Sequence, residues 1–380
     1  MKIFNQIISY LVGGLFIFSG LIKLNDPVGM EIKLEEYFEV FATDKAELGL
    51  ASLKGFWEFL APYSLSLAVF LSVLEVVLGL NLLIRYRTKF TLWSLLVMIV
   101  FFTFLTFYSA WYNKVTDCGC FGDAIKLTPW QSFTKDIVLL VMIVWLLIQR
   151  KTLGMEYPSN WKWGVSFFSG ILATAFAIYA IMYLPPLDFR PYKIGSNIAK
   201  NMENSAELKY GKEIYTYTNL KSGKDEQYEK WEKKLSDTLA YKFKSFEKPL
   251  LNPEALPKIK DYRVTTASGE DITKQTFTGK KLLIIVSDLR RSNHKVWKEI
   301  NALALESEKK KIEPIILTGD NEATFEVYRH EFQIKIPYYF ADKTVLKTMI
   351  RSNPGLMYWH EGTVKNMWHY NSMPTVKDFE

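Results

Sequence analysis

Only two cysteines occur in the 380-residue chain, Cys118 and Cys120, and a single glycine separates them. They sit in Asp117-Cys118-Gly119-Cys120-Phe121-Gly122-Asp123, where two glycines allow the backbone to turn tightly. A Cys-x-Cys spacing brings the sulfurs close enough for a disulfide, with the Cα separation near the edge of comfortable geometry. Such a bond is strained, and a strained, exposed disulfide is reduced more easily than a structural one. The chemistry this suggests is thiol–disulfide exchange, in which a thiolate attacks a disulfide through a mixed-disulfide intermediate. Two other uses compete with it. The pair can simply stiffen its loop. It can also supply half of a tetrahedral zinc shell, with Asp117, Asp123 or a remote histidine completing it. All four histidines, His294, His330, His360 and His369, lie far along the chain from the cysteines, and we assign no metal site.

Glu75 lies in the middle of the apolar stretch Ser72-Val73-Leu74-Glu75-Val76-Val77-Leu78-Gly79. A carboxylate at that depth must face a protein interior or be protonated, which makes it a candidate functional group. A helix-packing hydrogen bond beside Gly79 and Asn81 would account for it equally well. Lys23 closes the first apolar run and is followed by Asn25, Asp26 and Pro27. It is expected to snorkel as an interfacial anchor, the alternative being partnership with a buried acid such as Glu75. Trp93, Trp111, Tyr112, Trp130, Trp161 and Trp163 fit an interfacial aromatic belt and receive no catalytic role.

The elements that must position these groups follow from hydropathy. A hydrocarbon layer of about 30 Å takes roughly 20 apolar residues as helix, because lipid cannot satisfy exposed backbone groups. Phe4–Leu24, Tyr63–Ile84, Phe90–Tyr112 and Trp163–Leu184 meet this requirement. So does the weaker Trp130–Ile148, whose Lys135 and Asp136 are expected to reach the interface from near a helix end. The first run is expected to be an uncleaved helix rather than a signal peptide, since Lys23, Asn25 and Asp26 follow it without a small-residue cleavage site. Arg85, Arg87 and Lys89 join the second and third spans, and Arg150, Lys151 and Lys162 lie between the fourth and fifth. Both connections should therefore be cytoplasmic. The acidic loop from Asp26 to Glu58, the Asp117–Asp123 loop and everything beyond Leu184 then fall outside. Pro185 and Pro186 stop the last helix.

The stretch from Gly14 to Lys23, the Glu75-Val76-Val77-Leu78-Gly79 segment and especially Asp117-Cys118-Gly119-Cys120-Phe121-Gly122 resemble the DoxX-like membrane proteins, specifically the MauE branch, over roughly the first 150 residues. The resemblance implies a small helical bundle linked to thiol–disulfide or quinone-coupled electron transfer, with Cys118 and Cys120 as the redox pair. MauE itself is associated with maturation of methylamine dehydrogenase. This chain departs from the family's usual size by a fifth span and a large soluble region.

The remainder divides into a connecting polar region (185–256) and an α/β domain (257–380), after a membrane bundle over 1–184. A hairpin is expected around Tyr215–Tyr228 with its turn at Ser222-Gly223, and a solvated surface helix over Glu226–Lys244. Beyond it, Leu282–Val286 and Pro314–Leu317 read as strands, Lys295–Lys310 and Glu322–Phe332 as helices, and Leu356–Trp359 as the start of a hairpin turning at Gly362. The segment from Asn353 to Val364 is similar to the cis-proline strand and hairpin of the thioredoxin fold, with Pro354 as the candidate cis-proline. Where that fold carries Cys-x-x-Cys, this chain has Ser287-Asp288-Leu289-Arg290-Arg291-Ser292-Asn293, so the thiol chemistry cannot be done there. His294, next in line, reads as a surface residue.

The expected fold is thus an all-α membrane bundle of about five spans plus a soluble α/β thioredoxin-like domain. The expected function is a multi-pass cytoplasmic-membrane redox protein. It exchanges electrons through the Cys-Gly-Cys pair with an extracytoplasmic thiol or disulfide partner, and a quinone is the membrane carrier considered. The alternative is a non-enzymatic assembly or binding subunit that presents an inactive thioredoxin-like domain. The formal charge of +7 is scattered rather than gathered into a groove-lining stripe, which argues against nucleic acid. The partner of the amino-terminal half is lipid.

Overall fold

The computed structural model describes residues 2–44, 49–115, 119, 121–153 and 160–379. In the amino-terminal region the chain forms α1 (Lys2–Asn25), α2 (Pro27–Thr43), α3 (Lys54–Leu60), α4 (Ser64–Leu83), α5 (Thr88–Tyr112), α6 (Pro129–Ile148) and α7 (Asn160–Tyr183). Helices α1, α4, α5, α6 and α7 are long and apolar enough to cross a membrane, and they coincide with the five runs expected from hydropathy. Between lipid-immersed helices there is no hydrophobic drive to associate, so close backbone approach through small residues supplies much of the attraction. A carbon added at Gly79 of α4 would lie 2.7 Å from the Gly13 carbonyl oxygen of α1, and one at Gly13 would lie 2.9 Å from that of Gly79. Helix α6 starts at a full capping box: Thr128 accepts from the Gln131 backbone, Gln131 accepts from the Thr128 backbone, and Pro129 occupies the first turn.

The Asp26–Glu58 segment, expected as an acidic loop, is largely helical. Asp26 caps α2 by accepting from Gly29 N at 2.9 Å, and Pro27 pre-sets the first turn. Met30, Leu34, Tyr37, Phe38 and Phe41 recur every three or four residues and pack on the bundle. At 17 residues, four of them glutamate, α2 is shorter than any of the spanning helices.

Consecutive spans run in opposite directions, so α1, α5 and α7 end on the side where the soluble domain sits. There the Asn25 side chain clasps the Leu187 backbone, donating to its oxygen at 2.7 Å and accepting from its nitrogen at 2.9 Å. The two basic connections lie at the opposite end, where Lys162 donates to the Arg85 carbonyl at 3.3 Å.

After α7 the chain is a separate sheet-rich domain. A short helix, α8 (Ile198–Asn201), comes first; Gly195 N and Ile198 N then bond to the carbonyls of Val364 and Gly362 at 2.8 Å. These bonds tie the residues after α7 to a hairpin near the end of the chain. Strands β1 (Ile214–Asn219), β2 (Lys224–Tyr228) and β3 (Tyr241–Glu247) form a small antiparallel sheet in the order β2-β1-β3. The β1–β2 hairpin turns at Gly223, as expected. The helix expected over Glu226–Lys244 does not form. Tyr241-Lys242-Phe243-Lys244 alternates with period two, and the rings of Phe243 and Phe246 pack against Tyr217 and Tyr215 across the ladder with centres 5.4 and 4.8 Å apart.

The larger sheet contains β4 (Val264–Thr265), β5 (Lys280–Val286), β6 (Glu313–Thr318), β7 (Tyr338–Ala341), β8 (Gly355–His360) and β9 (Thr363–His369), ordered β4-β7-β6-β5-β8-β9. Strands β5, β6 and β7 are parallel, joined through α9 (Trp297–Lys309) and α10 (Glu322–Glu331). Helix α11 (Lys343–Met349) then leads to the antiparallel β8–β9 hairpin. Leu283 and Ile285 of β5 enter the core on one face, while Leu282, Ile284 and Val286 enter that on the other. This explains the unbroken apolar run in the sequence. The Asn353–Pro354 peptide bond, at the entry to β8, is cis.

Candidate functional site at the cysteine loop

Asp117, Cys118 and Cys120 lie outside the described residues, so the site is built from what surrounds them. Gly119 (φ +66°) and Gly122 (φ +51°) both take the left-handed conformation that other residues avoid, and Gly122 N bonds to Gly119 O at 3.1 Å. This turn carries Phe121 down into the bundle. Its ring lies 5.6 Å from that of Phe18 on α1, beneath the ammonium of Lys135 at 5.0 Å. On the other side Gly119 packs against Lys33 and Met30 of α2.

Below Phe121 a small cavity is lined by Lys23, Glu75, Lys135 and Asp136 among apolar neighbours. Lys23 is not the interfacial anchor expected: it is buried, with Nζ 2.5 Å from Glu75 Oε1 and 4.2 Å from the centre of the Phe102 ring. An unpaired ammonium or carboxylate at this depth would be costly, so each charge fixes the other. Asp136 does not reach the interface either. It is buried, accepts from Thr106 Oγ1 at 2.9 Å and meets Lys135 at 2.8 Å. Among the described residues Glu75 Oε2 accepts no hydrogen bond. Asn81, proposed as part of a packing surface, is buried further along α4, while Gly79 meets α1.

Above the loop sits the soluble domain. A second cavity at this junction is lined by the described loop glycines, Asp123, Asp26, Arg190 and Arg351. Arg351 holds Asp26 with a two-pronged contact, Nε to Oδ1 and Nη2 to Oδ2, each at 2.9 Å, and its Nη2 is 3.7 Å from Asp123 Oδ2. Burial works against the Asp26 charge, but the Arg351 guanidinium outweighs it and holds the carboxyl below the usual range. Further along α2, Glu31 and Glu35 take Arg291 at 3.0 and 2.8 Å, and Glu35 also takes Lys347 at 3.1 Å. Burial, with the Glu35 charge beside it, pushes the Glu31 carboxyl above its ordinary value. Arg291 belongs to the Ser287–Asn293 loop, which is bonded to the Pro354 loop through Asn353: Nδ2 donates to Asp288 O at 2.6 Å, and Asn293 N donates to Asn353 O at 3.0 Å. His294 contacts the Tyr328 hydroxyl at 3.2 Å.

The structure thus brings Gly119, Phe121, Gly122, Asp123, Lys23 and Glu75 to one end of the bundle and sets Pro354 in the domain docked above them. Sequence reasoning missed Asp136 and Lys135 as parts of the same buried group, and it missed Arg351, Arg291 and Lys347. The charges in α6 were visible but read as interfacial. The three cations of the soluble domain carried no local signal, because their partners are hundreds of residues away.

Five apolar spanning helices and an attached sheet domain define a multi-pass membrane protein. Residues 1–149, which include the cysteine loop and the buried charges beneath it, match the family model described as Methylamine utilisation protein MauE. The chain is also similar to Protein TlpB of Flavobacterium psychrophilum, 26% identical over 141 residues, which is 37% of this chain and 35% of that protein. It therefore spans about a third of the length of that curated relative. No solved structure matches.

Proposed function

We propose that the protein is a membrane-embedded thiol–disulfide redox protein of the cell envelope, acting through Cys118 and Cys120. The observation that carries this reading is the seating of the loop. The chain's only two cysteines flank a left-handed glycine, Gly119, which lies between α2, whose capping Asp26 is held by Arg351 of the soluble domain, and a buried group of charges. The MauE match over the same residues supports it. A thiolate of an extracytoplasmic partner attacks the Cys118–Cys120 disulfide and one loop sulfur leaves as thiolate. A second partner thiol then resolves the mixed disulfide, so two electrons pass from partner to loop. Their onward acceptor is a lipid-soluble two-electron carrier of the quinone class, and the same steps run backwards in the opposite direction of flow.

In this proposal the basic connections face the cytoplasm and the loop and soluble domain face outward. Modification of Arg87→Cys, in a variant lacking Cys118 and Cys120, by an impermeant reagent in intact cells would overturn that orientation. The soluble domain is a thioredoxin-like module without the chemistry. Support comes from the β6-β5-β8-β9 order and the parallel β5–β6 pair.

A second reading has its own support. The Ser287–Asn293 loop, lacking cysteine, is tied to α2 by ion pairs, as in a purely structural or binding subunit. Cys118→Ser and Cys120→Ser variants decide between the two. The redox reading expects at least one to trap a mixed disulfide with an envelope protein and both to lose function in cells. If neither traps a partner and both retain function, the binding-subunit reading replaces it.

A further inference from the structure

Arg351 stands where three parts of the molecule meet. It follows α11 in the soluble domain, only 5% of its side chain is exposed, and its fork grips the carboxylate that caps α2. The same Nη2 reaches Asp123, the residue that closes the cysteine loop. The contact is close on every side: a carbon added at Gly29 would lie 2.5 Å from Asp26 Oδ2 and 3.0 Å from Arg351 Nη2. Other charges around this cavity are matched elsewhere, Lys33 with Glu36, Arg190 with Asp188 and Lys23 with Glu75. Among the described residues the remaining docking pairs, from Arg291 and Lys347 to Glu31 and Glu35, touch α2 and not the loop.

We propose that Arg351 is the positioning residue of the cysteine loop: one guanidinium of a domain without cysteines fixes the end of the loop, at Asp123, against α2 and supplies the cation that offsets that carboxylate. This rests on the cysteines being the working pair, but its test does not need turnover. The contribution of the soluble domain to thiol chemistry is then geometric and electrostatic, delivered through Asp26 and Asp123. Planar, two-pronged contacts of this type are ones that lysine does not reproduce.

The experiment measures alkylation of the reduced cysteines in the full-length, detergent-solubilised chain across a pH series. The plateau rate reports access to the loop, and the midpoint reports the charge around the thiols. Arg351→Ala should raise the plateau by about fivefold, the ratio that follows from losing roughly 1 kcal/mol of local order. It should also move the midpoint to higher pH, because Asp123 loses the cation beside it. Asp123→Asn leaves the Asp26–Arg351 contact in place. It should likewise raise the plateau but move the midpoint to lower pH. Arg291→Ala and Lys347→Ala should do neither. Opposite midpoint shifts in the two partner variants support the proposal. Shifts of the same sign, no shift, or an equal plateau increase in Arg291→Ala and Lys347→Ala would overturn it. Should Arg351→Ala fail to fold, an unchanged profile in Asp123→Asn overturns it alone. Loss of mixed-disulfide trapping in the serine variants would instead strike the redox reading and leave this result standing.

Discussion

Two loops in this chain occupy comparable positions, each between an apolar element and the helix that follows. Asp117–Asp123 lies between α5 and α6 and holds both cysteines. Ser287–Asn293 lies between β5 and α9 and holds none. Around the first, left-handed glycines and a buried phenylalanine hold the backbone down on membrane-buried charges. Around the second, Asp288 pairs with Lys343 and Arg291 with the acids of α2, so the face is filled by contacts within the chain. In the proposed thioredoxin-like reading this is the position of the thiol motif, and here it serves for attachment. The loop that keeps the sulfurs meets the soluble domain elsewhere, through Asp123 and Arg351.

The largest effect expected on this comparison comes from the bundle side. Lys23→Met leaves Glu75 buried without its cation and should destabilise the membrane half by about 3–5 kcal/mol, with most of it recovered in Lys23→Met/Glu75→Leu. Detergent-denaturation of the purified variants measures both. Equal losses in the single and double variants would mean that the pair is not a unit.

On the soluble side, burial pushes the His369 imidazole down to about 4, against an ordinary value near 6.5. A group lowered in this way stabilises the fold above its unfolded value and loses that contribution as pH falls through the folded one. The sheet domain should therefore lose roughly 2–3 kcal/mol between pH 6.5 and 4, and the loss should be blunted in His369→Gln. Over the start of that range the cysteine loop, attached to the bundle, should lose alkylation rate only as its thiolate fraction falls.

A smaller contrast lies within the docking surface. Asp26, lowered by Arg351, contributes stability that is complete above its ordinary value near 3.8 and fades as pH falls through the folded value. Glu31, raised, acts oppositely and costs stability as pH climbs from near 4.5. Asp26→Asn should cost about 1–2 kcal/mol, whereas Glu31→Gln should stay within about 0.5 kcal/mol. Thermal unfolding at neutral pH compares them, and similar losses in both would remove Arg351 from its special place among the docking contacts.

What the sequence made legible follows the same division. The five spans could be read because a lipid-crossing helix must be apolar along its whole length, and β5 because both faces of its strand are buried. The cysteine loop stood out because no other residue in the chain could do that chemistry. Helix α2 was hidden because Glu31 and Glu35, which read as loop, are the face that binds the soluble domain. Strand β3 was mistaken for helix because Lys and Glu between aromatics satisfy either period until a partner strand is known. The Arg351–Asp26 contact spans 325 positions and leaves no mark in any local window. Long-range ion pairs between domains are set by docking, which no local pattern encodes.

The central claim is that Cys118 and Cys120 form a reducible pair. Redox titration of the native full-length protein against a thiol buffer, with mass mapping of the peptide that holds both residues, tests it most directly. The account predicts a Cys118–Cys120 disulfide in part of the native protein that is reduced at a potential above about −300 mV, within reach of cellular thiols. A pair that resists reduction until well below about −300 mV, or that never forms the bond, would contradict it.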